Sequence, residues 1–485
     1  MDLTSILDRH PDDAPALIDG EEATTYGQLR ELVSDTRAGL VAADLGPGDR
    51  VAIVCTNRRA SVIAMLGAVT GGMVAVLLDP TNPVSEHQRQ IDTVGARIVT
   101  TGTSLDGPLT VPIVSPAGTT VEGIDPLPDG DAVPTRPAHD DQLAFMLFTS
   151  GTAGAPKAAM LSHGNLSSNQ ESIMSQPGAD IDENAVVLAV LPLSHMYGLN
   201  IALLTTLRGG GTVVLQSRFD PATCLDLISR HGVNRFAGVP PMWRAFLDHE
   251  GIAADAFASV DRMTSGAAPL PPSLWHEFHD RFGIELSEGY GLTETSPTVT
   301  SHVGIPIRPG SVGKPIPGVE VVVVDHDGNP APADDSGEVK VRGPNVFLGY
   351  WDDEEATKAV LDDDGWLSTR DIGVMTDDGY LYLVDRAKDL IIVRGFNVYP
   401  FEVEAVLNLH PAVDQTVVVG REDDQRGERV VAYVTLVEGA DTPSLDDLVD
   451  FCRDQLARYK CPSELHVVDE LPIAASGKRI RRELG

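Results

Sequence analysis

The stretch from Arg50 to Asp79 constrains this chain most, because it reads RVAIVC, then ASVIAMLGAVTGG, then MVAVLLD. Two short apolar runs of this kind are strands buried on both faces, and the small-residue segment between them has the length of a helix. Strands without a polar face need helices on both sides, so the unit reads as strand, helix, parallel strand. The alternation returns in NAVVLAVLPLSH, NIALLTTLRGG, TVVLQS and PATCLDLISRHGV, where Asp220 can cap a helix that Pro221 opens. It returns again in RFAGVP, PPSLWHEFHDRFG and IELSEGYG. Such units imply an α/β protein of mostly parallel sheets covered by helices, with ligands bound at loops beyond the strand C-termini.

After Pro297 the pattern changes, for VEVVVVDHDGNPAPADDSGEVKVRG is two strands about an Asp-Gly turn with no helix between. A β-rich subdomain is expected over about 298–385. From about Asp389, PFEVEAVLNLHPAV, DQTVVVGRED, ERVVAYVTLVEG and LDDLVDFCRDQLARYK suggest a small α+β domain. The 485 residues are too many for one core. The expected division is a large domain over 1–385 and a small one over 389–485. PLPDGDAVPTRPAHDD is the most linker-like internal segment.

With 71 acidic against 36 basic residues the formal charge is −35, which repels nucleic acid phosphates and anionic lipid surfaces. Nucleic acid is therefore a poor partner. Cys55, Cys224, Cys452 and Cys461 are scattered without a C-x-x-C pair, so buried reduced thiols are expected and not a zinc site. Residues 1–20 carry Asp and Pro where a signal peptide needs an apolar stretch, and no run has the length of a membrane span. A soluble cytoplasmic protein is the expectation.

The segment FTSGTAGAPKAAMLSHGNL, residues 148–166, gathers glycines, hydroxyls and one lysine after the apolar LAFMLF. Glycines let backbone amides converge on an anion, hydroxyls donate to it, and Lys157 adds positive charge. Phosphate suits that set. Pro156 and Ala158 stand where a P-loop needs glycine and a hydroxyl residue, so a P-loop NTPase is disfavoured.

The loop resembles the TSGT-x-G-x-PK signature of the adenylate-forming enzymes, the family of acyl-CoA synthetases, luciferases and nonribosomal-peptide adenylation domains. The resemblance continues in order through LPLSHMYG, SGAAPL, EGYGLTET, GWLSTRDIG, DRAKDLIIVRGFNVYPFEVE and PIAASGKRIRREL. It covers most of the chain. It implies attack of a carboxylate on the α-phosphate of ATP, giving acyl-AMP and pyrophosphate, with coenzyme A as the acceptor of the acyl group.

Residue by residue, the resemblance assigns Thr149, Ser150, Gly151, Thr152, Ala153, Gly154 and Lys157 to the β- and γ-phosphates. It assigns Glu294, with Thr293 beside it, to Mg2+, and Glu288, Gly289, Tyr290 and Gly291 with Gly266, Ala267 and Ala268 to the adenine region. Asp371 resembles the aspartate that accepts the ribose hydroxyls, and Arg386 the arginine that contacts ribose and phosphate. Lys478 resembles the lysine that reaches the carboxylate and α-phosphate, Lys388 occupies the hinge position within 386–388, and Gly395 lies on the face presented to the thiol. His195 and Tyr197 border the acyl pocket. Ala153 and Ala158 depart from the residues usual in the loop.

The expected walls, GLNIALLTTL and FAGVPPMW, are mostly apolar and suit an aliphatic or aromatic acid. Alternatives stay open: transfer to a carrier protein or an amine, a luciferase-like oxygenase, or a catalytically silent nucleotide-binding protein. VYPFEVE in place of an ELGEIE-like segment, and a chain ending at Gly485, favour a free-standing ligase over a nonribosomal adenylation domain.

Overall fold

The computed structural model describes residues 3–149, 156–325, 327–333, 335–386, 391–394, 396–398, 400–408, 410–423, 427–437, 439–440, 442–453, 456–468 and 471. The unit at Arg50 forms as its pattern dictates: strand Arg50–Val54, helix Arg59–Thr70, strand Val74–Leu78, the strands paired in parallel. Nearly every residue of that helix is buried, which accounts for its lack of a polar face. The strands lie inside a sheet ordered Gly349–Tyr350, Lys157–Ser162, Leu143–Thr149, Val74–Leu78, Arg50–Val54, Ile98–Thr101, Ile113–Ser115, Asp125–Pro126.

A second large sheet runs Lys314–Pro315, Thr298–Ser301, Leu286–Gly291, Arg262–Ser265, Arg235–Gly238, Val186–Ala189, Thr212–Leu215, Pro15–Asp19, Glu22–Thr25. Its middle is parallel and its ends antiparallel. Asp220 caps the helix Pro221–His231, its carboxylate accepting the Thr223 amide at 2.8 Å. The segment expected to be an ordinary helix over NIALLTTL winds as a π-helix over Tyr197–Leu204 before tightening into Thr205–Gly209.

One apolar core joins the two sheets, running from Leu17 and Tyr26 through Val62, Leu66 and Phe145 to Leu199 and Leu203. Asn57, 4 % exposed, stitches their edges together. Its amide nitrogen donates to the carbonyls of Ala189 at 3.2 Å and Leu191 at 2.9 Å, and its oxygen accepts the Leu193 amide at 2.8 Å. A buried amide so fully used fixes how the strand ends of one sheet meet those of the other.

The two strands read around the Asp-Gly turn are Glu320–Val324 and Ser336–Arg342, antiparallel with Val323 opposite Val339. With Leu367–Met375 and Leu381–Arg386 they make a four-stranded antiparallel sheet, whereas Thr298–Ser301 pairs with Leu286–Gly291 in the large sheet. The C-terminal region has its own sheet, Phe396–Val398, Ile391–Val393, Gly427–Leu436 and Val413–Asp423, with Glu464–Val467 parallel to Gly427–Leu436. It also has its own core about Val403, Leu407, Val418, Val434 and Leu448.

Candidate active site

Thr149 and Lys157, on either side of residues 150–155, end one strand and begin the next. Strand Leu143–Thr149 pairs with Lys157–Ser162, Thr149 standing opposite Lys157, and helix His163–Met174 begins only after the second strand. Lysine and threonine thus stand on paired strands. Ser162 and Asn165 cap the following helix reciprocally. Ser150, Gly151, Thr152, Ala153 and Gly154 lie outside the described residues, as do Lys388, Gly395 and Lys478.

On the other large sheet Gly238 stands opposite Ser265, and Ser265 opposite Glu288, so Gly266 follows the end of its strand while the next strand runs on through Gly289, paired antiparallel with Ser301. Gly266 packs tightly on Tyr197, since a Cβ there would come 3.0 Å from the ring's Cε1. The Tyr197 phenol shares a hydrogen bond with Thr264 at 3.0 Å, and burial pushes it up to about 12. This contact joins the LPLSHMYG and SGAAPL motifs. Ala268 is half-buried and Ala267 exposed beside them.

Glu288 is 7 % exposed and accepts the Leu270 amide at 3.0 Å. Burial raises its carboxyl to about 8, opposed by that hydrogen bond. It is therefore mostly a neutral acid at neutral pH. The Tyr290 hydroxyl donates to Asp371 Oδ2 at 2.7 Å, bringing EGYG onto STRD. Burial first, and then the Asp371 charge, raises the Tyr290 phenol well above its ordinary value. Arg386 stands opposite Asp371 in the antiparallel pair, so backbone register places both at one level of the sheet.

Glu294 sits half-buried on the short 3-10 turn Thr293–Thr295 that follows Gly291. Gly291 admits no side chain, because a Cβ would lie 1.8 Å from the Pro297 carbonyl oxygen. Asn345 ties the turn down by donating to the carbonyls of Thr295 at 2.8 Å and Thr298 at 3.2 Å. Tyr350 then donates its hydroxyl to Glu294 Oε1 at 2.8 Å, leaving the other carboxylate oxygen for a hard cation. A single half-exposed carboxylate fits Mg2+ that arrives with substrate phosphates, since that ion keeps waters and takes few protein oxygens.

Tyr350 also lies under Lys157, whose Nζ is 5.8 Å from the ring centroid, and Lys157 forms an ion pair with Asp353. Tyr350 and Asp353 were not among the residues singled out from sequence. Their signal was the helix-capping pattern DDEEATK directly after an aromatic pair, which carries no mark of a ligand. His195 is exposed, its Nε2 3.6 Å from Oδ2 of Asp79, the residue after strand Val74–Leu78.

Seven non-glycine residues among those described have positive φ, and Ala267, Ser296, Asp352 and Arg370 flank Gly266, Glu294, Asp353 and Asp371. Left-handed backbone at non-glycine residues concentrates where surrounding structure must hold side chains in one pose. The arrangement gathers two carboxylates, each bonded by a tyrosine, and one lysine at the start of strand Lys157–Ser162.

Residues 4–351 match the AMP-binding enzyme family and residues 402–478 the AMP-binding enzyme C-terminal domain. The chain belongs to this family of adenylate-forming enzymes. It is 35 % identical to a feruloyl-CoA synthase of Amycolatopsis sp, over 97 % of this chain and 95 % of that one. It is 33 % identical to a long-chain-fatty-acid CoA ligase of Bacillus subtilis, over 99 % and 93 %. Among solved structures it is similar to ATP-bound MatB from Rhodopseudomonas palustris, with a TM-score of 0.86 and 31 % identity over 100 % of this chain and 98 % of that one. The amide bond synthetase McbA from Marinactinospora thermotolerans gives a TM-score of 0.84 at 29 % identity, covering 99 % and 98 %.

Proposed function

We propose that this chain is an AMP-forming acid–thiol ligase acting on an apolar carboxylic acid, fatty or aryl. The observation that carries the reading is the pair of tyrosine–carboxylate contacts, Tyr290 to Asp371 and Tyr350 to Glu294, which draw separate stretches of chain together beside Lys157. The names of the two CoA-ligase relatives support the acid class and the acceptor.

In the first step a carboxylate oxygen bonds to the α-phosphorus of ATP, and the bond from that phosphorus to the bridging oxygen breaks, releasing pyrophosphate. Two anions must meet, so catalysis rests on placing cations and aligning groups. Lys157 and the residues Thr149 to Gly154 take the leaving phosphates. Glu294 and Thr293 would hold Mg2+, which supplies neutralisation of phosphate oxygens. Asp371 accepts the ribose hydroxyls with Arg386 beside it, while the Gly266–Ala268 and Glu288–Gly291 segments border the adenine. Lys478 neutralises charge developing between carboxylate and α-phosphate. In the second step the thiol sulfur of coenzyme A attacks the acyl carbonyl, AMP leaves, and the thiol proton passes to solvent.

The proposed domain division is 1–385, a hinge at 386–388 with Lys388 as pivot, and 389–485, with rotation exchanging Lys478 for the Gly395 face between steps. The proposed acyl walls are GLNIALLTTL and FAGVPPMW, both mostly apolar. The four cysteines are free and buried, which together with ATP and coenzyme A as substrates supports a cytoplasmic setting. Among the described residues, no helix is long and apolar enough to cross a membrane.

The likeness to an amide bond synthetase favours one second reading, transfer of the acyl group to an amine, with a carrier-protein thiol as a further acceptor. The test is incubation with Mg-ATP and a mixed acid library, with coenzyme A, with an amine, or with neither, followed by mass spectrometry. Acyl-CoA products are expected. Acyl-AMP that persists with coenzyme A but is consumed by the amine would move the assignment to amide synthesis. Absence of pyrophosphate–ATP exchange with every acid would leave a nucleotide-binding protein.

A further inference from the structure

Lys157 stands at this site with a partner already attached. Asp353 lies far along the chain, yet its Oδ2 pairs with the lysine Nζ while its Oδ1 accepts the Ala356 amide at 2.9 Å, capping helix Glu354–Lys358. The backbones of both partners are fixed. Tyr350 pairs with Ala159 on the lysine's own strand, the Trp351 amide donates to the Ala158 carbonyl at 2.8 Å, and the Thr357 hydroxyl accepts the Tyr350 amide at 2.9 Å. Gly349, at φ 121°, lets the chain pass so close to Thr357 that a Cβ would meet its Cγ2 at 2.7 Å.

Both side chains of the pair remain open to solvent, at 38 % and 34 % exposure. An incoming anion can therefore reach the lysine. The Asp353 carboxylate cannot withdraw without giving up its cap, whereas the lysine stem has several rotatable bonds and can turn. The Lys157 hydrogen bond, and then the Ala356 amide, hold the Asp353 carboxyl below the usual carboxylate range. It is an anion at every pH where ATP would bind.

We infer that Asp353 is a positioning residue that stands in for the leaving phosphates, holding Lys157 extended over Tyr350 in the free enzyme and competing with ATP and pyrophosphate for it. A permanent competitor weakens the grip on the triphosphate tail, and it equally helps pyrophosphate depart once the α-phosphorus bond has broken. The same tyrosine bonds Glu294, so the segment from Tyr350 to Asp353 presets lysine and metal-binding carboxylate together. The inference rests on the proposed reading that Lys157 binds phosphate.

Asp353→Asn keeps an oxygen for the Ala356 amide and removes the charge, and Asp353→Ser is a second capping residue should the first fold poorly. Exposed ion pairs are worth little, so the expected gain is modest: about two- to fivefold tighter pyrophosphate and ATP, by titration calorimetry on the whole chain. KM for ATP should fall by the same factor and product inhibition by pyrophosphate should strengthen, with the melting temperature of Asp353→Asn near wild type. Unchanged or weaker pyrophosphate binding in both folded variants would overturn the inference. Wild-type pyrophosphate–ATP exchange separates the two claims: exchange with no tightening in the variants sinks the stand-in role alone, and a wild type that binds neither ATP nor pyrophosphate sinks both.

Discussion

Glu288 illustrates how a single side chain ties folding to pH. Its carboxyl, at about 8, holds a proton in the native chain that an unfolded chain releases above its ordinary value. Stability from this group is complete at acid pH, falls as pH rises from about 4.3, and levels off once the native group itself ionises near 8. Glu288→Gln keeps an acceptor for the Leu270 amide and cannot ionise. Its unfolding free energy should pull ahead of wild type steadily between pH 5 and 8, by up to about 1.4 kcal/mol per pH unit, and its melting temperature should rise relative to wild type in step. Parallel curves would show that Glu288 is ionised in the fold. Tyr290→Phe acts on ligand binding instead, because it removes the donor that holds Asp371. Hydrogen bonds to charged groups are worth about 1.5–3 kcal/mol, so ATP should bind about ten- to a hundredfold more weakly by calorimetry, while the fold persists. Equal affinity would mean that Asp371 needs no orientation to do its work. Glu288 and Tyr290 were both visible in the EGYGLTET segment, but the neutral state of one and the hydroxyl contact of the other follow from burial and from a partner 81 residues away. No local pattern encodes either.

The element that departs furthest from its sequence is the strand Lys157–Ser162. KAAMLS has no β-branched residue and suits a helix, yet it is a strand because it is paired on both sides, to Leu143–Thr149 and to Gly349–Tyr350. Tertiary pairing outweighs weak local preference, and it carries Lys157 with it. The buried runs at Arg50 and Val74, by contrast, were legible because a strand covered on both faces leaves an unbroken apolar record. Polar staples are the least legible feature. Asn345 is 1 % exposed and holds the Thr293–Thr295 turn through the Thr295 and Thr298 carbonyls, though nothing in GPNVF marks it. Asn345→Ala leaves those carbonyls without this donor, at a cost of about 1–3 kcal/mol. The melting temperature should drop, and the Mg2+ concentration needed for half-maximal exchange should rise as Glu294 loses its fixed position. A lower melting temperature with an unchanged Mg2+ requirement would show that Asn345 is not needed to position that carboxylate, the Asn169 amide, which donates to the same two carbonyls, holding the turn in its place.

For the whole molecule the proposed division of one reaction between two bodies of different size calls for a reason. Both large sheets, the four-stranded sheet, Lys157 and the two tyrosine-held carboxylates precede the proposed hinge, whereas the C-terminal region has an independent core about Val403 and Leu448. A lysine mounted on a separate body can be present for adenylation and absent for thiol attack, where a fixed positive charge beside the α-phosphate has no further task. The proposal thus gives Lys478 a role in one step only. Lys478→Ala should lower pyrophosphate–ATP exchange about a hundredfold or more, the usual cost of losing one transition-state contact. Given preformed acyl-AMP and coenzyme A, the same variant should make acyl-CoA at close to the wild-type rate. Lys388→Pro should do the reverse, because a ring that fixes φ at the hinge restricts rotation and leaves only the starting pose populated. It should sustain exchange while losing thioester formation. The pair forms a double dissociation between half-reactions, read by quenched-flow assays of each step. If both variants lost both steps in equal measure, the two bodies would be acting as one rigid site, and the division of the chain would have no part in the order of the chemistry.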